Sequence, residues 1–148
     1  MPPIAVYIFA VLLAVFSLTF SIPPAQAQNI TRESQDRLYK VMDAQEELTE
    51  EDVRLYLQHL DAIFKLRFEP DKLDETVRLI GNWPEKRFAY VITKMAAGMA
   101  LLMKPDDPGN NSIPEFARPT SAELILIKRY QSQLESAMSR AQRAYSAN

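Results

Sequence analysis

The chain contains one histidine, His59, and this side chain is the one whose type best suits proton transfer or metal ligation near neutral pH. Helical spacing places it at the edge of an apolar face, where it could be an axial ligand of a haem iron opposite a methionine. Methionine is also a common filler of hydrophobic cores, so the sequence favours no single partner for His59. The methionines that could pair with it are Met42, Met95, Met99, Met103 and Met138. We therefore expect His59 to lie at the boundary of the core and the chain to bind no cofactor.

Two groups of oxygen-bearing side chains could supply ligands for a divalent cation. The first is an acidic run without lysine or arginine, formed by Asp43, Glu46, Glu47, Glu50, Glu51 and Asp52. Its last three members are typical of the first turn of a helix, where the helix dipole stabilises negative charge. The second group does not have EF-hand spacing and lies in a turn-rich stretch, at Asp106, Asp107, Asn110, Asn111 and Glu115. We expect a solvated helix end and ordinary turns rather than a metal site.

The composition excludes most sequence motifs of enzymes. The chain has no cysteine and 3 glycines, so it lacks a thiol nucleophile, a cysteine zinc site, a GxGxxG fingerprint and a P-loop. No GxSxG motif supports a Ser–His–Asp triad. The 17 lysines and arginines nearly balance 19 aspartates and glutamates, which does not indicate binding to nucleic acid. We predict a protein without enzymatic activity and without a nucleic-acid partner.

Residues 1–27 have the composition of an export signal. They contain no charged side chain, and an apolar run is followed by Pro23 and Pro24 and by Ala25 and Ala27 on either side of Gln26. This pattern predicts a secretory signal peptide cleaved after Ala27, which leaves residues 28–148 as a single periplasmic or secreted domain. The segment lacks the usual basic residue near its start. The alternative is an uncleaved anchor over residues 4–22, which would hold the protein at a membrane.

Apolar residues after position 31 recur at helical spacing, and no segment alternates with a period of two. Capping patterns begin at Thr49 and Thr120, and Gly81 is placed to end a helix. The sequence predicts an all-α fold, a compact antiparallel bundle of about five helices. The predicted helices cover residues 32 to about 47, 49–66, 70–80, 84–103 and 120–145. Small residues on the fourth helix predict a close crossing with a neighbour, at Ala89, Thr93, Ala96 and Ala100.

Residues 104–119 are the one long stretch without helical periodicity. The stretch contains Pro105, Pro108, Pro114 and Pro119 together with Gly109. We interpret it as a Pro-rich loop, and loops of this length within a compact domain are usually functional or mobile.

Charge is distributed unevenly along the predicted domain. Residues 28–75 contain 7 basic and 13 acidic side chains, whereas residues 76–148 contain 10 basic and 6 acidic ones. The two halves could pair with each other inside one domain. Alternatively, they could form a dipolar surface that binds a second copy of the chain or an oppositely charged partner.

The second predicted helix is apolar around most of its circumference, which is typical of a central helix or of a helix that contacts a partner. We predict that the exported protein acts by protein–protein interaction, with an unknown protein or as a homodimer. The predicted contact residues are Leu55, His59, Ala62 and Leu66 on that helix, and Trp83 in a turn. The alternative function is carriage of a small apolar ligand between helices, in a pliable lining formed by Met95, Met99 and Met138.

Overall fold

The computed structural model describes residues 32–146, apart from the side chains of residues 32–35, 37 and 38. Every regular element in this part of the chain is a helix, so the predicted all-α class is confirmed. The predicted signal peptide and its predicted cleavage site at Ala27 lie outside the described residues. None of the helices between residues 32 and 146 combines the length and the apolar character that a membrane span needs.

Seven α-helices follow one another in this range, where the sequence predicts about five. They are α1 (Arg32–Asp43), α2 (Glu50–Gln58), α3 (Leu60–Lys65), α4 (Leu73–Ile80), α5 (Glu85–Met103), α6 (Ser121–Arg129) and α7 (Gln131–Ser146). Three short 3-10 helices lie between them, at Pro70–Lys72, Pro108–Ser112 and Glu115–Ala117.

Helix α5 is the central element of the fold. Every residue from Phe88 to Ala100 is buried, and α5 contacts α1, α2 and α6. The sequence points to the second predicted helix as the central or partner-binding one, because both faces of that helix are apolar. The structure assigns the central place to α5, whose alanines and Gly98 let neighbours approach on several sides.

The second predicted helix bends at His59 and divides into α2 and α3. Hydrogen bonds continue through the bend, from the His59 N–H to the Leu55 carbonyl and from the Ile63 N–H to the His59 carbonyl, each 3.0 Å. His59 itself has φ −106° and ψ 16°, outside the helical region. Helix α2 packs on α5, whereas α3 packs on α7. Because of the bend, apolar residues on different sides of the one predicted helix can all reach the core.

The last predicted helix is divided in the same way, at Tyr130, into α6 and α7. Helix α6 contacts α5, whereas α7 contacts α2, α3 and α6. The far end of α7 is anchored by Tyr145, whose ring is stacked 5.8 Å from Phe64 and 5.7 Å from Phe68. The bend at Tyr130 therefore carries the basic C-terminal helix across to the acidic half of the chain.

The Pro-rich stretch folds into two 3-10 helices, and the Asn110 side chain ties the first of them to the end of α5. This side chain is buried and donates to the Lys104 carbonyl at 2.7 Å. Ile113, Phe116 and Ala117 are buried in the core. The stretch contains no α-helix, as the sequence predicts. It is not an irregular loop, however, because it forms two 3-10 helices whose buried side chains belong to the core.

Helix α5 packs against α6, and Gly98 of α5 lies directly against the side chain of Ile127. A Cβ atom placed on Gly98 would lie 2.4 Å from the Cδ1 atom of Ile127, which is itself fully buried. The predicted strip of small residues contains buried alanines on the same helix, but Gly98 is not among them. Because Gly98 has no side chain, the end of the Ile127 side chain packs directly against the backbone of α5.

We expect Gly98→Ala to lower the free energy of unfolding by about 1 kcal/mol. Overpacking a core costs about 1–3 kcal/mol, and the better helix propensity of alanine returns up to about 1 kcal/mol. Urea unfolding followed by circular dichroism measures the change. Ile127→Val removes the clashing Cδ1 atom, so the double variant should be more stable than the sum of the two single effects predicts. Simple additivity of the two effects would contradict the close approach.

Candidate functional site

Residues 44–49 form the segment around which the polar side chains of the core are arranged. The sequence predicts that the first helix continues to about Glu47, but α1 ends at Asp43. Two interactions prevent its continuation: Thr49 and Asp52 form the predicted capping box of α2, and the Arg87 guanidinium donates to the carbonyls of Glu46 and Glu47. After a turn at Ala44 and Gln45, the backbone of residues 46–49 is therefore held to α5 outside any helix.

Asp52 is the first of two buried carboxylates that hold the segment. It is 6% exposed and accepts hydrogen bonds from the Thr49 N–H at 2.9 Å, from Trp83 Nε1 at 3.0 Å and from Arg87 at 2.5 Å. Burial opposes its ionisation, but the hydrogen bond from the Thr49 backbone and the ion pair with Arg87 outweigh burial. The pKa of Asp52 therefore lies below its ordinary value.

This lowered pKa predicts a specific loss of stability in acid. A carboxylate whose pKa is lower in the folded state than in the unfolded state stabilises the fold above the unfolded-state pKa, about 4 for aspartate, and loses that contribution as the pH falls. We expect the difference in unfolding free energy between the wild type and Asp52→Asn to be largest near neutral pH and to shrink in acid. Urea unfolding at a series of pH values, followed by the fluorescence of Trp83, measures it. A difference that stays constant down to about pH 3 would contradict this.

Glu123 is the second buried carboxylate, and its side chain is fully enclosed. It completes the predicted capping box at Thr120, whose N–H it accepts at 2.9 Å. It also accepts the Leu48 N–H at 2.9 Å and the Tyr90 hydroxyl at 2.7 Å, and it lies 3.9 Å from the Lys94 ammonium. Glu123 thus joins the start of α6, the middle of α5 and the segment 44–49.

Three side chains of α5, Arg87, Tyr90 and Lys94, lie along one face of the helix between the two carboxylates. The Tyr90 ring has the Arg87 guanidinium 5.0 Å from its centroid and the Lys94 ammonium 5.3 Å from it. Burial and the hydrogen bond to Glu123 raise the pKa of Tyr90, so its hydroxyl remains a donor. Burial lowers the pKa of Lys94, although Glu123 favours its charged form, and the ammonium also donates to the Arg118 carbonyl.

Neither this stripe nor the contacts of Glu123 beyond its capping box were predicted from the sequence. A signal was present, because two cations and a tyrosine recur at helical spacing within a predicted helix that is otherwise rich in apolar residues. Such polar residues within a buried helix need partners, and they mark the point where the segment 44–49 crosses α5.

Two open clefts flank the segment 44–49, and Gln45 contributes to both. We call the first the Trp83 cleft; it has a volume of about 420 Å³ and is lined by Ala44, Gln45, Glu46, Thr49, Glu51, Asp52, Leu55, Asn82, Trp83 and Arg87. We call the second the Tyr39 cleft; it has a volume of about 400 Å³ and is lined by Tyr39, Met42, Asp43, Gln45, Glu47, Tyr90, Lys94, Glu115, Phe116 and Thr120. Both volumes lie within the range of small-molecule sites.

The five predicted contact residues do not form one exposed face. Leu55, His59 and Ala62 are half-buried, whereas Leu66 is 4% exposed and Trp83 is 5% exposed. Leu66 belongs to the chain's own core because α3 packs against α7, and the Trp83 indole is held inward by Asp52. These two side chains therefore offer little surface to a partner. Leu55 and Trp83 do meet in one place, since both line the Trp83 cleft.

Several residues that were considered for metal, haem or apolar-ligand binding lie in ordinary turns or in the packed core. Among residues 32–146 no three His, Asp or Glu side chains converge as a metal site would require. Asp107 accepts the Gly109 N–H at 2.7 Å and caps a 3-10 helix, which is ordinary turn chemistry. Met95 and Met99, proposed as lining for an apolar ligand, are 0% and 1% exposed and packed in the core.

Comparison of the chain with models of known protein families, with curated proteins and with solved structures finds no match in any of the three. The function of this chain is therefore argued from the two clefts and the charges around them.

Proposed function

We propose that this chain is an exported, non-enzymatic helical protein that acts through protein–protein contact, and that its first partner is a second copy of the chain. Export rests on the uncharged apolar segment and the Ala25 and Ala27 pattern at the predicted cleavage site. In this proposal the helices described above form the compact domain that remains after cleavage. The contact would join the acidic rim of the Trp83 cleft, formed by Glu46 and Glu51, to the basic face of α7, formed by Arg140 and Arg143.

The distribution of unpaired charge carries this proposal. Of the ion pairs in the described part of the chain, the Asp52–Arg87 pair joins the acidic half to the basic half, while the others lie within one half. At the cleft rim, Glu46 and Glu51 are exposed, and within the described residues neither side chain has an ion-pair partner. On α7 the same is true of Arg140 and Arg143, one helical turn apart. Internal pairing therefore leaves two surfaces of opposite sign.

Leu55 supplies an apolar contact at the same place. It is half-buried and lines the Trp83 cleft beside Glu51. Exposed ion pairs alone contribute little to association, about 0–1 kcal/mol each, so an apolar contact within the charged rim is needed for a stable dimer. The predicted contact residue Leu55 has this role in the proposal.

Sedimentation equilibrium of the purified protein tests self-association. We expect association at low ionic strength that weakens as salt is raised, because screening shortens the reach of charges to about 8 Å near physiological salt. The charge-reversed variants Glu46→Lys/Glu51→Lys and Arg140→Glu/Arg143→Glu should each be monomeric. An equimolar mixture of the two should associate again, because each restores the complement of the other.

The matched control is Asp61→Lys/Asp74→Lys, which reverses two exposed carboxylates on α3 and α4 and should leave association unchanged. A protein that stays monomeric at low salt, or a charge-reversed mixture that fails to associate, overturns the proposal.

A further inference from the structure

The Tyr39 cleft combines a negative rim with an aromatic wall, and the proposed self-association does not use it. Three exposed carboxylates line it, those of Asp43, Glu47 and Glu115. No hydrogen bond or ion pair holds any of the three side chains among the described residues. Three carboxylates and one ammonium, that of Lys94, line the cleft, so its described lining has a negative excess that a cationic ligand would relieve.

The one cation in the lining does not neutralise this charge. The Lys94 ammonium lies at the inner wall, where its side chain is 9% exposed, 3.9 Å from the Glu123 carboxylate and bonded to the Arg118 carbonyl. Its positive charge is therefore balanced by Glu123, which is not part of the cleft lining. Glu47 also favours the charged form of Lys94 and is therefore partly compensated, whereas no cation among the described residues pairs with Asp43 or Glu115.

The arrangement of the carboxylates does not suit a metal ion. Metal ligands must converge on a point within about 2.6 Å of each oxygen, and no such group of acidic side chains exists between residues 32 and 146. The carboxylates are instead distributed around a cleft of about 400 Å³. That spacing suits an extended organic cation, which can contact the carboxylates through its ammonium group while its remaining atoms fill the cleft.

The aromatic wall provides the complementary apolar surface. Tyr39 is 42% exposed, and its ring packs edge to face on Phe116 with the centroids 5.2 Å apart. Tyr90 also lines the cleft, but its ring already has Arg87 and Lys94 as cation–π partners. The exposed aromatic surface of the described lining is thus that of Tyr39, whose ring is supported by the buried Phe116, and it can contact either the cation or the apolar part of a ligand.

We propose that the Tyr39 cleft is a binding site for a small organic cation, an ammonium compound with an apolar or aromatic body. The carboxylates recognise its charge and the Tyr39–Phe116 pair recognises its body. This inference does not depend on self-association, since it involves a different cleft.

An NMR titration of the purified, isotope-labelled protein tests the site with three probes of similar size at low ionic strength. Benzylammonium has both the charge and the ring, butylammonium has the charge with a short aliphatic chain in place of the ring, and phenylacetate has the ring with the opposite charge. We expect benzylammonium to shift the backbone signals of residues that line the Tyr39 cleft alone, such as Phe116 and Thr120. Its dissociation constant should be at least about tenfold lower than that of phenylacetate and about threefold lower than that of butylammonium.

Variants of the cleft separate recognition from nonspecific attraction. Glu47→Gln/Glu115→Gln should weaken benzylammonium binding at least about fivefold, and Tyr39→Leu should reduce its advantage over butylammonium. All of these positions are exposed, so the variants should unfold at the wild-type urea concentration. Asp61→Asn/Asp74→Asn changes the net charge by the same amount away from the cleft and should bind as the wild type does.

Three results would overturn the proposal: equal affinity for benzylammonium and phenylacetate, signal shifts that lie away from the cleft, or equal weakening by the cleft pair and the control pair.

Discussion

Replacing Glu123 by glutamine is expected to lower the free energy of unfolding by about 3 kcal/mol. The carboxylate accepts from the N–H groups of Leu48 and Thr120 and from the Tyr90 hydroxyl, and it faces the Lys94 ammonium. All four groups are donors. A glutamine can present one oxygen to some of them, but its NH₂ group must face the others, and Lys94 loses its counter-charge in a buried site. Urea unfolding followed by Trp83 fluorescence measures the loss.

Glu115→Gln is the matched control for this prediction. Glu115 is exposed, and the substitution removes a carboxylate of the same size from the same region of the fold. We expect its unfolding free energy to stay within about 0.5 kcal/mol of the wild type. A Glu123→Gln variant as stable as this control would show that the buried carboxylate does not hold the segment 44–49 to α5 and α6.

Glu123 also shows how far the sequence could predict the site. The pair Thr120 and Glu123 is a capping box, and the structure confirms it. A capping box is a local pattern, however, and the contact that makes Glu123 important comes from Leu48, 75 positions away along the chain. Local periodicity and capping rules contain no information about which distant segment covers a helix end.

The helix ends could likewise be predicted from local sequence, whereas the bends within the helices could not. The positions of the helical segments, the cap at Thr49 and the end of α4 at Gly81, where φ is +68°, were predictable because each depends on neighbouring residues. The bends at His59 and Tyr130 were not, since a single residue outside the helical region barely disturbs the spacing of apolar side chains. The bends result from packing, because α3 must reach α7 while α2 remains on α5.

The bend at His59 also changes which apolar residues of the second predicted helix are available to a partner. From the sequence, Leu66 and Leu55 belong to one face that is free to contact a partner. The bend at His59 turns Leu66 into the core and leaves Leu55 at the rim of the Trp83 cleft. The proposed interaction surface is therefore smaller and more polar than the one that the sequence predicts, and in this proposal charge rather than apolar area provides its specificity.

Arg87→Ala is expected to lower the free energy of unfolding by about 3 kcal/mol, with the segment 44–49 opening first. The guanidinium binds Asp52 and the carbonyls of Glu46 and Glu47, and it covers the Tyr90 ring. Its removal leaves the buried Asp52 carboxylate without a counter-charge and two carbonyls without their donor. Urea unfolding measures the global loss. Hydrogen exchange of the Leu48 and Thr49 amides measures the local opening and should accelerate by more than the global change accounts for.

Arg87→Lys and Lys86→Ala make the interpretation specific. Lysine keeps a positive charge near Asp52 but cannot hold a carboxylate and two carbonyls in the fixed geometry of a guanidinium. Arg87→Lys should therefore recover part of the stability while exchange at Leu48 and Thr49 stays fast. Lys86 is the neighbouring exposed cation on α5, and its removal should change neither measurement. If Arg87→Lys restores slow exchange, the charge alone holds the segment, and the bridge to the two carbonyls contributes nothing to it.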